Sequence, residues 1–423
     1  MIPNAVGVVV VVVVLAFASV VVQRVARPAA FVAHVHNAVW AGTLVLVATG
    51  LVAYDPVTPT AWATLAVGVA AFNVAVGLVG ARAATRADAA EAEPTDAPSS
   101  PALVGRRGLA VLGVLYGAAF VVYAVIQVTR VGLAEFLADP GSIRDFGGVT
   151  NLEATPVAIR ALLFLGPLLF ALLAAPDGVR RHLPLAVRLG LAAAVLASMA
   201  ALLQRTNLFL AVLLLVAALV LRASRGSGRG ARGSARGLRA PAVQWALAGV
   251  GAAVILVGSF QIIGIAVGKR GTNAIAAGTV STVLEESGLT SPFVYLTGGV
   301  PAFLHLVDAP ESAWPAEPPG VAKVGDYDPQ LWGAASFEPL LRFIPGAPHW
   351  SPIEPFIDNG VTINVYTWLG PAYRDFRVLG VAGGMLAIGA GAALAYVRRT
   401  RSGRWFWLSA LAGVAIALSV FVA

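Results

Sequence analysis

Residues 5–22 read AVGVVVVVVVLAFASVVV, and uncharged apolar runs of this kind recur along the whole 423-residue chain. At about 1.5 Å per residue such a run crosses most or all of a roughly 30 Å hydrocarbon layer. Lipid offers no partners to backbone N–H and C=O groups, so each run must satisfy its own as a helix. With 58% hydrophobic and only 12% charged residues, the chain has too little polar surface to cover a water-soluble core. The expected fold is therefore an all-α polytopic membrane protein. Residues 1–4 carry no side-chain charge ahead of the valine run, which reads as a retained span instead of a cleaved leader.

Ten spans are expected, at 5–22, 38–54, 61–80, 108–128, 157–175, 185–203, 207–221, 242–267, 376–397 and 405–422. The positive-inside rule tests this alternation, because cytoplasmic connections hold the excess of Lys and Arg. It passes at each connection: Arg24 and Arg27, Arg82 to Arg107, Arg180 to Arg188, the arginines of 222–240 and Arg398 to Arg404 all fall inside. Most of the 21 acidic residues fall outside. The sequence pI near 10.3 then reports topology and attraction to anionic inner-leaflet lipid. No nucleic-acid partner is needed to explain it, and the Arg/Gly-rich 222–240 segment reads as a flexible cytoplasmic connector. Residues 83–101, rich in Ala, Asp, Glu, Pro and Ser, read as a second, disordered linker.

These spans divide the chain into helices one to eight over 1–267, a large outer loop over 268–375 between the eighth and ninth spans, and two last helices over 376–423. The outer loop holds half of the 26 prolines, which favours irregular structure. One apolar stretch inside it, 289–307, is long enough to span but contains Pro292, Gly298, Gly299 and Pro301. Counting it as a span would move the basic RRTRSGR connection outside, so it reads as an interfacial or re-entrant element. Cysteine is absent, so neither disulfides nor thiolate metal sites contribute.

Ionisable groups crowd where the outer loop meets the ninth span, in NVYTWLGPAYRDFRVLG (364–380). Groups of this kind beside a membrane helix are expensive and commonly functional. Arg374 and Arg377 flank Asp375 there, and Asn364, Tyr366 and Tyr373 accompany them. Arg205, between the sixth and seventh spans, is either a snorkelling interfacial arginine or a fixed cation in an outward cavity. Lys269 and Arg270 lie at the same outer surface. Together Arg205, Arg270, Arg374 and Arg377 would suit a phosphate or pyrophosphate, whose oxygens a guanidinium binds in pairs. Asp375 leads the candidates for a general base, over His305, Glu354, Asp358 and His349, or else it caps the ninth helix. His305 reads equally as a packed histidine. His34 and His36 face the cytoplasm with no acidic or thiol partner nearby, so no metal site is expected. Phosphate loops, dinucleotide-binding glycine fingerprints and hydrolase elbows are not found in a usable context.

The order of these features resembles the Wzy-type O-antigen or oligosaccharide repeat-unit polymerases. The resemblance rests on Arg205-Thr206 opening a mid-chain helix, Tyr295-Leu296-Thr297-Gly298-Gly299 in the outer loop, Asn364-Val365-Tyr366-Thr367, Tyr373, and Asp375-Phe376 before Gly380. It covers about the second half of the chain. The family usually continues Asp-Phe with glycine, where this chain has Arg377. The resemblance implies a membrane glycosyltransferase in the cell envelope, at the outer face of the cytoplasmic membrane, that joins polyprenyl-pyrophosphate-linked oligosaccharides. Tyr295, Tyr366, Tyr373 and Asn364 would bind glycan, the arginines pyrophosphate, and Asp375, His305 or Glu354 the acceptor proton. It implies no cofactor, and as partners the lipid-linked oligosaccharide, membrane lipid, a flippase and a chain-length regulator. An O-antigen ligase-like transferase and a transporter of lipid-linked glycans remain the alternatives, the latter without the internal repeats such proteins often carry.

Overall fold

The computed structural model describes residues 4–90, 106–138, 145–146, 149–150, 155–175, 183–201, 205–226, 258, 280–309, 336–337, 357–363 and 367–420. Among them the chain is mostly helical, with two short antiparallel ladders and an isolated bridge between Val52 and Val280. Six helices are long and apolar enough to cross a membrane, and three shorter apolar ones accompany them. The chain divides into two compact units, one of Met1–Asp96, Gly271–Arg398 and Ala415–Ala423, the other of Ala97–Arg270 and Arg399–Val414.

In the first unit, α1 (Asn4–Val25), α2 (Ala30–Ala48) and α3 (Pro59–Ala90) pack together. The short helices α10 (Thr282–Ser287), α11 (Thr290–Thr297) and α12 (Gly299–Asp308) lead towards the long α13 (Leu369–Arg398), which lies along α3. The second unit contains α4 (Arg106–Val131), α5 (Leu133–Ala138), α6 (Val157–Leu163), α7 (Leu165–Ala174), α8 (Leu185–Ala201) and α9 (Arg205–Gly226). Its core joins Tyr116, Tyr123, Leu169, Leu173 and Met199. α14 (Gly403–Leu418) closes the described chain.

The valine run of α1 shows why the membrane reading holds. Val11 and Leu15 are sealed in the bundle, while Val9, Val13 and Phe17 on the other faces are exposed yet equally apolar. A helix hydrophobic all round needs lipid or protein on every side. Close approach between α13 and α3 depends on Gly389, where an added Cβ would lie 2.6 Å from the Phe72 carbonyl oxygen.

Several expected boundaries move. In place of a second span at 38–54, α2 starts at Ala30, after a 3-10 turn at Arg27–Ala29, and ends at Ala48. Polar residues that look like a connection in sequence are helical because the bundle satisfies them. Asn37 Nδ2 shares its two hydrogens among Leu15 O (3.2 Å), Ser19 Oγ (2.8 Å) and Asn73 Oδ1 (3.0 Å), and Asn73 Nδ2 returns a bond to Asn37 Oδ1 (2.9 Å). His36 is buried in α2, donating from Nδ1 to Asn37 Oδ1 at 2.9 Å and stacking on Phe72 at 3.8 Å. His34 instead meets Gln23 on an exposed face. The two histidines expected together on the cytoplasmic side thus part.

α3 continues to Ala90, so the first residues of the expected linker 83–101 are helical, as their alanines favour. The fifth run breaks at Phe164 into α6 and α7. α9 opens at Arg205, two residues ahead of the seventh apolar run expected from 207. The last span, expected at 405–422, is α14, ending at Leu418. The eighth span, 242–267, lies outside the described residues except for Gly258. The 289–307 stretch forms α11 and α12, packed on α2, α3 and α13.

Candidate functional site

The connection between α2 and α3 ties together segments distant in sequence. Val52 bridges Val280, Ser281 N–H donates to Leu51 O at 2.9 Å, and Asp55 N–H donates to Asn359 O at 3.1 Å. Asn4 Nδ2 donates to Tyr54 O (3.1 Å) and Asp55 O (3.2 Å). At its far end Thr58 N–H donates to Asp308 Oδ2 at 2.6 Å, and the Thr58 hydroxyl to Oδ1. Asp308, closing α12, therefore places a carboxylate over the positive N-terminal end of α3.

Within this frame the Tyr54 phenol meets Thr297 Oγ1 at 2.7 Å. Thr297 spends its single proton on Phe293 O at 2.8 Å, so Tyr54 is the donor. Burial pushes the Tyr54 pKa up to about 12, against the smaller opposing effect of the Thr297 bond. Gly298 separates α11 from α12 where a Cβ would meet Ile363 Cδ1 and Val294 O, each at 2.7 Å. Ile363 ends a ladder in which β1 (Ile357–Asp358) pairs with β2 (Thr362–Ile363). The sequence then enters 364–367. Val52, Tyr54, Val294, Leu306, Val361 and Ile363 share one buried cluster, with Tyr373 packed against it.

The start of α13 supplies the charged groups. Its first stretch begins at Leu369, ahead of the expected 376, and meets at a kink at Arg377 the stretch that runs on to Arg398; Asp375 lies inside the first stretch and caps neither. The reason lies in Thr367, whose Oγ1 accepts from Leu369 N–H at 3.3 Å and opens the helix earlier. Asp375 Oδ2 instead accepts from Ser336 N–H at 2.6 Å, which ties it to a residue 39 positions earlier in the chain. Arg374 is buried. Tyr373 is half-buried, with its hydroxyl donating to Val307 O at 3.4 Å and its ring edge-on to Phe303 at 6.0 Å. Arg377 Cζ lies 5.6 Å from the Tyr373 ring centroid.

Arg377 also interrupts the helix, with φ 56° and ψ −144°. Among the described residues it is the non-glycine residue with positive φ. This is close to a region that only glycine occupies freely. Arg377 thus adopts a glycine-like backbone at the position where the resemblance leads one to expect glycine.

No family model, curated protein or solved structure matches this chain with significance. The site therefore rests on its own geometry.

Of the residues singled out in the sequence, Tyr373, Arg374, Asp375 and Arg377 sit together on α13. Half-buried His305 lies on α12 between Phe303 and Val307, both of which touch Tyr373, and half-buried Tyr295 lies on α11. Arg205 belongs to the other unit. Asn364, Tyr366, Glu354, Arg270, Lys269 and His349 lie outside the described residues. Sequence reasoning missed Tyr54, Thr58 and Asp308. Their signal is faint, a Tyr-Asp-Pro triplet and a Thr-Pro pair between two spans.

Proposed function

We propose that this protein polymerises polyprenyl-pyrophosphate-linked oligosaccharide repeat units into a cell-surface polysaccharide, at the outer face of the cytoplasmic membrane. In this reading the chain has about ten spans, with the outer loop between the eighth and ninth. One observation carries the proposal. Segments of the resemblance far apart in sequence are neighbours within one unit: Gly298 packs on Ile363, which directly precedes Asn364, and α12 touches Tyr373, two residues before Asp375.

The acceptor sugar hydroxyl oxygen attacks the anomeric carbon of the growing glycan, and the bond from that carbon to the pyrophosphate oxygen breaks. The pyrophosphate leaves with the electron pair, stabilised by the guanidinium groups of Arg374 and Arg377. The hydroxyl proton passes to Asp375, oriented by its bond to Ser336 N–H, or to His305. Half-buried Tyr295 and Tyr373 offer ring faces to sugar.

The test is reconstitution with a defined lipid-linked repeat unit, read as a ladder of chain lengths on a gel. The proposal expects a ladder that Asp375→Ala or Arg374→Ala abolishes. Absence of a ladder with any lipid-linked acceptor refutes it. A single transfer to a different acceptor would instead identify a ligase, and passage of glycan across the bilayer at unchanged length a transporter.

A further inference from the structure

Asp308 occupies the last position of α12, where the negative end of the helix dipole disfavours a carboxylate. Its charge is compensated from outside its own helix. Thr58 N–H donates to Oδ2 at 2.6 Å and the Thr58 hydroxyl donates to Oδ1, while the same Thr58 oxygen accepts from Ala61 N–H at 3.4 Å in the first turn of α3. Two charge-assisted bonds and the positive end of α3 thus hold one side of the peptide joining Val307 to Asp308. The other side of that peptide faces α13: Val307 O accepts from the Tyr373 hydroxyl at 3.4 Å, and Phe303, one turn earlier on α12, meets the Tyr373 ring edge-on at 6.0 Å. Arg377 Cζ lies 5.6 Å from the centroid of the same ring. The end of α12 is therefore tied to α3 through Asp308 and to the charged start of α13 through Val307 and Phe303.

We propose that Asp308 is a positioning residue of the transferase site: by anchoring the end of α12 to Thr58 it sets where Val307 O and Phe303 hold Tyr373, and with Tyr373 the Arg377 guanidinium. The inference rests on the polymerase reading given above, in which Tyr373 faces sugar and Arg377 the departing pyrophosphate. It assigns Asp308 no contact with substrate. Removing the carboxylate takes the acceptor from Thr58 and frees the last turn of α12, while buried Phe303, Leu304 and Leu306 keep the rest of that helix packed. The displacement then falls on Val307 O and on the tyrosine it holds. A shift of 1 Å in a reacting group costs up to about a hundredfold in rate. Because the guanidinium acts on charge that develops in the transition state, the loss appears in kcat and not in KM.

The experiment compares wild-type protein with Asp308→Ala, Tyr373→Phe and the double variant, using full-length protein reconstituted with the lipid-linked repeat unit. Asp308→Ala is expected to lower kcat by about tenfold and to leave KM within about twofold. Tyr373→Phe keeps the ring but gives up the bond to Val307 O, so it too should lower kcat, and the double variant should be no worse than Asp308→Ala alone because both act through one link. An unchanged kcat for Asp308→Ala overturns the positioning role while leaving the polymerase reading intact. So does a loss in the double variant equal to the product of the single losses, or a rise in KM with kcat unchanged. A fall in kcat that merely tracks the loss of folded protein, followed by thermal unfolding in detergent, overturns it as well. A wild-type protein that makes no ladder removes the polymerase reading and the inference together. Should Asp308→Ala fail to fold, Thr58→Val removes the hydroxyl bond to Asp308 and keeps the N–H bond: a fall in kcat not multiplied by Tyr373→Phe supports the positioning role, and an unchanged or a multiplied kcat overturns it.

Discussion

Arg377 offers a prediction whose sign differs from that expected of an ordinary helix. At φ 56° and ψ −144° its backbone occupies a region costing a non-glycine residue about 1–3 kcal/mol. Glycine at this position releases that cost but loses about 0.4–1 kcal/mol through the greater freedom of the unfolded chain. Alanine keeps the backbone cost. Both substitutions remove the guanidinium from the Tyr373 ring, so that loss cancels in the comparison. Arg377→Gly should therefore be more stable than Arg377→Ala by roughly 0.5–2 kcal/mol. In an unbroken helix the order reverses, with glycine about 1 kcal/mol worse than alanine. The assay is reversible unfolding of the two variants in mixed micelles, with the wild type as reference. If Arg377→Gly is the less stable of the two by about 1 kcal/mol, α13 is continuous through residue 377 and the reasoning fails.

Three further outcomes are expected. Gly389→Ala should destabilise by about 1–3 kcal/mol through collision with Phe72 O, whereas Gly391→Ala, with nothing within 4 Å, should be neutral or better; thermal unfolding of both decides it. Asn73→Leu should cost about 1–2 kcal/mol by stripping Asn37 of a reciprocal amide partner, and a double-mutant cycle with Asn37→Leu should recover part of that loss. Because the Tyr54 pKa is raised from 10 to about 12 in the folded state, its contribution is complete below about pH 10 and fades as pH climbs through 12. Unfolding midpoints measured across that window should fall more steeply for the wild type than for Tyr54→Phe.

Much of the helical layout is legible from hydropathy alone, because a lipid-facing helix must be apolar on every exposed side and α1 shows that pattern plainly. Boundaries are less so. His36 and Asn37 carry polarity that reads as a connection, and inside the bundle α3 supplies the Phe72 ring to His36 and the Asn73 amide to Asn37. The candidate site was half legible. Tyr373 to Arg377 stand out as costly groups beside a span, but the start of α13 at Leu369 turns Asp375 from a helix cap into an anchor for Ser336. Tyr54 and Asp308 carried almost no signal, since a tyrosine in one connection and an aspartate far along the chain acquire meaning only when they meet Thr297 and Thr58.

The sequence by itself determined that this chain is a bundle of membrane-length helices, since no other structure satisfies backbone hydrogen bonds across such apolar runs. It also determined which groups would be costly, and so where to look. Tertiary structure decided which of those groups share a unit and what each one holds. Helix-to-helix distance depends on how closely backbones approach, as at Gly389. Pairing depends on which lone donor finds which acceptor, as at Tyr54 and Thr297. The break at Arg377 belongs to the same class, because arginine has no preference for that backbone geometry and only the surrounding packing imposes it.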